Sequence, residues 1–159
     1  MSARAEILPV FVPHLGCGHA CVFCNQRRIS GAQRAATAED VKNSIEQAAA
    51  FLPKGGKRQL AFYGGSFTAI PGDQQEALLS AAKEALDRGE IDAIRLSTRP
   101  DAIDDEVLAR LRRFGVETVE LGAQSMDDTV LAASRRGHTA GDVFRACAMV
   151  KAAGFRLVL

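Results

Sequence analysis

Three cysteines lie within eight residues of this sequence, at Cys17, Cys21 and Cys24. The deprotonated thiol is the form of cysteine that binds metals, and three thiolates on one short loop can reach a single metal centre without ligands from distant sequence. Three ligands leave a four-coordinate centre one ligand short. The spacing therefore indicates either a metal site completed by another side chain or an iron–sulfur cluster with one iron open to an outside ligand.

Two histidines, His14 and His19, flank the cysteines and could complete a Cys3His zinc site. Structural zinc sites usually divide their ligands between two separated pairs, so an iron–sulfur cluster explains the compact loop better. Buried structural thiols or an adventitious disulfide are a third interpretation, which three crowded thiols disfavour. The fourth cysteine, Cys147, lies on an apolar helical segment, and we predict that it is a small core residue.

The chain has 159 residues, of which 47% are hydrophobic and 25% charged, as is typical of one globular domain. No stretch is long and apolar enough to span a bilayer, and we read no secretory signal at the N-terminus. A net charge of +1 supplies no field for nucleic acid, which is neither indicated nor excluded. Clustered cysteines are unlike a secreted disulfide framework, so we predict a cytoplasmic protein without membrane association.

Strand patterns alternate with helical patterns along the chain. The predicted strands are residues 6–13, 59–63, 91–96, 116–121 and 155–159. The predicted helices are residues 37–52, 73–88, 104–114, 127–135 and 139–153, several of them beginning at Thr or Asp capping signals. Pro9 predicts either an edge position or an irregular start for the first strand. Such alternation predicts an α/β fold with a parallel sheet and right-handed crossovers.

Unusual polar and glycine-rich segments follow each of the first four strands: the cysteine loop, 64–67, 97–101 and 120–125. A doubly wound sheet needs such loops only at its switch point, whereas a barrel gathers all strand carboxyl ends around one mouth. We therefore predict a partial parallel (β/α) barrel. Because a closed barrel needs about eight strands, we expect residues 1–159 to be the N-terminal portion of a truncated barrel domain, with the cluster loop at 14–30.

The Cys-x3-Cys-x2-Cys loop, with an aromatic residue directly before its last cysteine, resembles the signature of radical S-adenosylmethionine (SAM) enzymes. The resemblance implies that Cys17, Cys21 and Cys24 bind a [4Fe-4S] cluster and that SAM chelates the fourth iron. Reductive cleavage of SAM would then give methionine and a 5′-deoxyadenosyl radical that attacks a substrate. A one-electron donor such as a flavodoxin or ferredoxin is implied as a partner.

The resemblance also assigns SAM contacts near the first two strand ends. Phe23 would lie against the adenine, although core packing is the ordinary role of such a residue. Gly64 and Gly65 match the glycine pair that binds the methionyl amino group, with Ser66 beside them. The alternative for these glycines is a tight turn between a strand and a helix.

Further SAM contacts are implied at the third and fourth strand ends. Ser97 and Arg99 resemble residues that contact the ribose or carboxylate, or else form a helix-entry turn. Gln124 matches a glutamine that hydrogen-bonds the nucleoside, whereas Glu120 could simply pair with an arginine. Arg136 resembles the arginine that meets the methionyl carboxylate, a group that suits a guanidinium fork.

Within the superfamily, residues 62–67 and 97–101 resemble bacterial relatives of the Elongator catalytic subunit, which implies RNA modification as one candidate activity. The oxygen-independent coproporphyrinogen III oxidase-like branch is also similar, but that oxidase has a cysteine and a tyrosine where this chain has Gln26 and Phe11. We therefore do not predict that oxidase activity. The sequence predicts a radical SAM iron–sulfur enzyme of unknown substrate and unassigned catalytic residues. The alternatives are a zinc-stabilised, non-catalytic binding module and a cluster-binding chain without activity.

Overall fold

The computed structural model of this chain describes residues 6–12, 21–24, 34–51 and 56–159. Within these residues the strands are β1 (Glu6–Val12), β2 (Arg58–Gly64), β3 (Ala93–Thr98), β4 (Val116–Leu121) and β5 (Arg156–Val158). The helices are α1 (Ala38–Phe51), α2 (Gly72–Asp87), α3 (Asp105–Arg113), α4 (Asp128–Ala133) and α5 (Ala140–Ala152). The predicted alternation of strands and helices is confirmed.

The described strands form one parallel sheet in the order β1-β2-β3-β4-β5. Because the order never reverses, right-handed crossovers bring α1, α2, α3 and α5 to the same face of the sheet. A doubly wound sheet reverses its order at a switch point and carries helices on both faces. The sheet is therefore the partial barrel that the loops at the strand ends predicted. β1 lies at an edge of the described sheet, as Pro9 indicated.

The hydrophobic core lies between the sheet and its helices. Every second strand residue points to this side, including Val10, Phe62, Leu96 and Val119, which are at most 3% exposed. They pack with buried helix residues, namely Val41, Leu79, Leu111 and Val150. Burial of one such side chain contributes about 1.5–3 kcal/mol to folding. The core thus fixes both the sheet and the positions of its carboxyl ends.

The opposite face of the sheet is polar towards the carboxyl ends of the central strands. Ser97 lies beside Glu120, and Arg95 lies beside Thr118 one level deeper. Arg95 and Glu120 form an ion pair whose side chains are 17% and 19% exposed. The hydroxyl of Tyr63 donates to Glu120 at 3.4 Å. The face that a barrel turns towards its lumen therefore carries hydrogen-bonding groups instead of a second apolar core.

The third strand begins and ends two residues later than the predicted 91–96. Asp92 explains its start, because its backbone N–H donates to the carbonyl of Arg58 at 2.8 Å while its carboxylate accepts from the Arg58 N–H at 2.7 Å. At the other end, pairing with β4 extends β3 through Thr98. This correction places Ser97 and Thr98 on the strand, on opposite faces, and leaves Arg99 as the first loop residue.

The predicted capping signals are confirmed where the structure describes them. Asp142 and Thr139 form a reciprocal capping box at the start of α5. Thr37 and Asp40 exchange equivalent hydrogen bonds before α1. Hydrogen bonds from Thr139 hold the pKa of Asp142 at about 2, so this carboxylate is charged at neutral pH. These two caps fix where α1 and α5 begin.

Several predictions concern residues that lie outside the described ranges. They include most of the predicted cluster loop, of which residues 21–24 are described, and the predicted end of the first helix at 52–53. Among the described residues, no helix combines the length and the apolar character needed to cross a membrane.

Candidate metal and cofactor site

The described part of the cysteine loop is a tight turn over residues 21–24. The N–H of Cys24 donates to the carbonyl of Cys21 at 3.0 Å. Both cysteines are free thiols, with Cys21 buried and Cys24 half-buried. Cys17, His14 and His19 lie outside the described residues, and among the residues described no three His, Cys, Asp or Glu side chains converge on a metal position. The turn therefore supplies two thiols of soft-metal type from one backbone segment.

This turn is docked on residues 134–136, which follow α4. The N–H of Val22 donates to the carbonyl of Ser134 at 3.2 Å. The guanidinium of Arg136 donates from Nη1 to Cys21 Sγ at 3.4 Å. Its carbon Cζ also lies 5.9 Å from the ring centroid of Phe23. The sequence resemblance assigned Phe23, Cys21 and Arg136 to one site, and the structure brings these three side chains together.

Arg136 is buried and held by its backbone and its side chain. It lies between Arg135 and Gly137, whose φ angles of +56° and +75° are both left-handed. Its Nη2 donates to the carbonyl of Gly122 at 2.7 Å, so the guanidinium bridges the end of β4 to the cysteine turn. Its Nε–H is buried and has no hydrogen-bond partner among the described residues. A buried unpaired donor is costly, which makes this N–H a candidate to bind an acceptor group.

Arg99 supports the same loop from the end of β3. Its guanidinium forms a two-point ion pair with Asp101, at 2.9 and 3.0 Å. Its Nη2 also donates to the carbonyl of Arg136 at 2.6 Å. The structure thus places Arg99, predicted as a SAM contact, in contact with the backbone of Arg136. Direct contact between Arg99 and SAM stays a prediction.

A chain of buried hydroxyls runs from Arg99 to the carbonyl of Ala102. Ser66 and Thr98 lie 2.8 Å apart, Thr98 and Thr68 2.6 Å apart, and Thr68 donates to the carbonyl of Ala102 at 2.5 Å. Because Thr68 has only one hydroxyl proton, Thr98 must donate to Thr68 and Ser66 must donate to Thr98. The backbone N–H of Arg99 donates to Ser66 Oγ at 3.2 Å. The remaining capacity of the Ser66 side chain is therefore one lone pair, which can only accept.

The glycine pair at the end of β2 lies against β1. Gly64 has φ +105°, and a Cβ on it would stand 2.8 Å from the carbonyl oxygen of Val12. The N–H of Gly65 donates to that same oxygen at 2.8 Å. The close approach of these backbones needs glycine at position 64, as the tight-turn interpretation holds. A SAM contact at Gly64 or Gly65 stays a prediction.

The remaining predicted site residues lie on β3 and after β4. Gln124 is exposed and has φ +66°, a strained conformation for a residue other than glycine. A Cβ on Gly122 would lie 3.5 Å from Gln124 Nε2 and 3.4 Å from Arg136 Nη2, so the amide and the guanidinium flank the same small residue. Ser97 is half-buried on the polar face of the sheet. Its contact with SAM stays a prediction.

His138 is buried behind Arg136, with a fully buried side chain. Its Nε2 lies 3.2 Å from the carbonyl of Ala123 and must donate to it, which leaves Nδ1 as the unprotonated nitrogen. Nδ1 faces Asp101 at 4.0 Å. Burial lowers the pKa of His138 below 6.5, and the charges of Arg136 and Arg99 lower it further. The imidazole is therefore neutral at pH 7 and has a structural environment.

We expect this lowered pKa to make stability depend on pH. The unfolded chain protonates His138 near pH 6.5 while the folded chain resists protonation, so the free energy of unfolding should fall as the pH drops below about 6.5. His138→Gln can keep a donor towards the carbonyl of Ala123, but the fall in stability that is due to His138 should be lost. Urea unfolding between pH 7 and 5 measures the slope of the free energy of unfolding against pH in the unmodified protein and in the variant. His14 and His19 are common to both proteins, so equal slopes would show that His138 is not the source.

Sequence reasoning did not identify Thr98 or Thr68 as parts of the site. Thr98 had a usable signal, because the alternation of β3 places it on the buried side, where a hydroxyl needs partners. Thr68 lies in a 3₁₀ turn at Phe67–Ala69 and had none. The pairing of Arg95 with Glu120 depends on the bulged register between β3 and β4 and could not be located from sequence.

Comparisons with known proteins agree with these features. The family model described as Radical SAM superfamily matches residues 11–159. Heme chaperone HemW of Lactococcus lactis subsp. lactis is 27% identical over 140 residues, and Elongator complex protein 3 of Schizosaccharomyces pombe is 26% identical over 137. The solved structure of archaeal Elp3 from Methanocaldococcus infernus matches with a TM-score of 0.70 at 19% identity, covering 99% of this chain and 37% of that one. This structural likeness shows the fold.

The two curated relatives are considerably longer than the region that they share with this chain. The matches cover 87% of this chain and 36% of the heme chaperone, and 76% of this chain and 25% of the Elongator protein. The chain thus spans about a quarter to a third of the length of these relatives.

Proposed function

Because the chain belongs to the radical SAM superfamily, we propose that it binds a [4Fe-4S] cluster and SAM and acts as a radical SAM enzyme. The observation that carries the proposal is the contact of the cysteine turn with Arg136 at the mouth of the sheet. Cys21 Sγ, the unpaired Nε–H of Arg136 and the exposed ring of Phe23 meet there. A thiol ligand thus lies beside a free donor and an aromatic surface.

These residues fit the cofactors that the family implies. Cys17, Cys21 and Cys24 would hold three irons, as thiolates do in iron–sulfur proteins. The unpaired Nε–H of Arg136 suits the carboxylate of SAM, because a hydrogen bond between a guanidinium and a carboxylate is charge-assisted and strong. The free lone pair of Ser66 suits its amino group. The exposed face of Phe23 offers a stacking surface for the adenine.

The cofactor pair supplies one-electron cleavage of SAM and hydrogen abstraction from a substrate, chemistry that no side chain provides. The residues of the chain hold the binding groups in position. Arg99 and Asp101 hold the carbonyl of Arg136, and the hydroxyl chain fixes the carboxyl ends of β2 and β3 relative to each other. The helices bury the outer face of the sheet and leave its polar face for ligands.

The substrate, the electron donor and the location are finer proposals. We propose an RNA substrate because the relatives include proteins named tRNA uridine(34) acetyltransferase, which are 31% identical over 65 residues. A one-electron donor such as a flavodoxin or ferredoxin would supply the reducing equivalent. A cytoplasmic setting suits free cysteines that must stay reduced.

Anaerobic reconstitution with ferrous iron and sulfide tests the core of the proposal. We expect about four iron atoms per chain and, after addition of dithionite and SAM, release of methionine and 5′-deoxyadenosine measured by chromatography. One tightly held zinc in a colourless protein, lost together with the fold on chelation, would support the zinc module instead. Iron without cleavage of SAM would identify a cluster-binding chain and overturn the enzymatic proposal.

A further inference from the structure

We propose that Arg136 raises the reduction potential of the cluster by donating an N–H···S hydrogen bond to the ligand Cys21. The proposal rests on the proposed function, since it requires a cluster on the cysteine loop. It adds a role to a residue that the family resemblance assigns only to the SAM carboxylate. The two roles use different atoms, because Nη1 lies against Cys21 Sγ and Nε–H is the unpaired donor.

The contact has the geometry that such a role requires. Nη1 lies 3.4 Å from Cys21 Sγ, within hydrogen-bonding distance for sulfur, and both residues are 8% exposed. Burial matters because a charge next to a ligand sulfur is screened much less there than at the surface. The cationic donor to Cys21 Sγ is thus a guanidinium that is itself buried.

Electrostatics determines the direction in which Arg136 shifts the reduction potential. When the cluster accepts one electron from an external donor, negative charge increases on the irons and on their thiolates, and no proton is taken up. A cationic N–H donor stabilises the more negative reduced form more than the oxidised form, which raises the potential. Hydrogen bonds to the sulfurs and local net charge are known means of setting such potentials.

Arg136 is also prevented from turning away. Its Nη2 donates to the carbonyl of Gly122 at 2.7 Å, and its own carbonyl accepts from Arg99 at 2.6 Å. Its N–H donates to the carbonyl of Leu131 at 3.0 Å. These bonds hold the residue at both its backbone and its guanidinium. The N–H···S contact is therefore part of a fixed arrangement around the cluster loop.

The matched variants are Arg136→Gln and Arg135→Gln. Each removes one positive charge, from adjacent residues, but Arg135 is exposed whereas Arg136 is buried against Cys21. After anaerobic reconstitution without SAM, iron and sulfide are counted first. The midpoint potential is then measured by a dithionite titration followed by electron paramagnetic resonance of the reduced cluster.

We expect Arg136→Gln to have a lower potential than the unmodified protein. Loss of one charge-assisted hydrogen bond should reduce the equilibrium constant for reduction roughly tenfold, which is about 59 mV for one electron. Arg135→Gln should leave the potential unchanged. Equal potentials in all three proteins, at equal iron content, would overturn the inference, whereas absence of iron from the unmodified protein would overturn the proposed function.

A second measurement covers the case in which Arg136→Gln fails to fold or to bind iron. The unmodified protein is labelled with ¹⁵N-arginine, and pulsed electron–nuclear spectroscopy of the reduced cluster is recorded. We expect a ¹⁵N coupling that is absent when unlabelled arginine is used and absent in labelled Arg136→Lys. No such coupling in a fully loaded protein would show that the guanidinium does not contact a ligand sulfur.

Discussion

The triple variant Cys17→Ala, Cys21→Ala, Cys24→Ala is expected to bind no cluster after anaerobic reconstitution, where the unmodified chain binds about four irons. The three thiolates are the ligands of the proposed cluster, and the structure places two of them on one turn beside Arg136. Iron and acid-labile sulfide per chain, together with visible absorbance, measure the loss. Far-ultraviolet circular dichroism should still show the helices, because Cys21 and Cys24 do not belong to the core cluster between the sheet and its helices.

Cys147→Ala is the matched control for this variant. Cys147 is half-buried on α5 and packs against the core, so it contributes a thiol that lies elsewhere in the fold. Its loss should leave the iron content unchanged. Iron retained by the triple variant, or lost equally from Cys147→Ala, would refute the assignment of the ligands.

Gly64→Ala is expected to lower the free energy of unfolding by about 3 kcal/mol, through left-handed strain and steric overlap together. The methyl group would stand 2.8 Å from the carbonyl oxygen of Val12, a backbone atom of the neighbouring strand. Either β1 must move away from β2 or the turn must rebuild. Val12 directly precedes the cysteine loop, so the variant should also retain less iron. Urea unfolding measures the stability, and iron content measures the second effect.

Gly89→Ala separates the effect of left-handed strain from that of steric overlap. Gly89 has φ +71° and an added Cβ would meet nothing within 4 Å, so this variant carries conformational strain without a clash. We expect it to cost about 1 kcal/mol and to leave iron content unchanged. Equal losses of stability in the two variants would mean that the approach of Gly64 to Val12 does not matter.

The sequence allowed the architecture to be predicted because the relevant signals are local. Capping residues such as Thr139 and Asp142 mark helix starts within four residues, and strands such as β4 show apolar residues alternating with polar ones. The start of β3 was misplaced because it is decided by Asp92, which bonds to Arg58 on another strand. Local patterns contain no information about that partner.

Some features of the candidate site are likewise visible in the sequence, and others are not. The cysteine spacing and the polar strand ends are visible in the sequence, and they indicated which side chains share one mouth. What each group does there depends on partners far along the chain, as when Arg136 contacts Cys21 across 115 positions. Arg99 shows the difference most clearly. Its residue type suggested a ligand contact, whereas its bonds to Asp101 and to the carbonyl of Arg136 are visible only in three dimensions.

The hydrogen bonds of the buried hydroxyl chain all run in one direction. As a result, one end of the site accepts hydrogen bonds and the other end donates them. The hydroxyl proton of Ser66 is donated to Thr98, so Ser66 Oγ can only accept further hydrogen bonds, whereas the guanidinium of Arg136 can only donate. Arg99 links the two, since its N–H reaches Ser66 and its guanidinium reaches the carbonyl of Arg136. An amino acid zwitterion has matching opposite ends, an ammonium that donates and a carboxylate that accepts. If these two side chains bind such a molecule, they select one orientation, because the reversed orientation would set donor against donor.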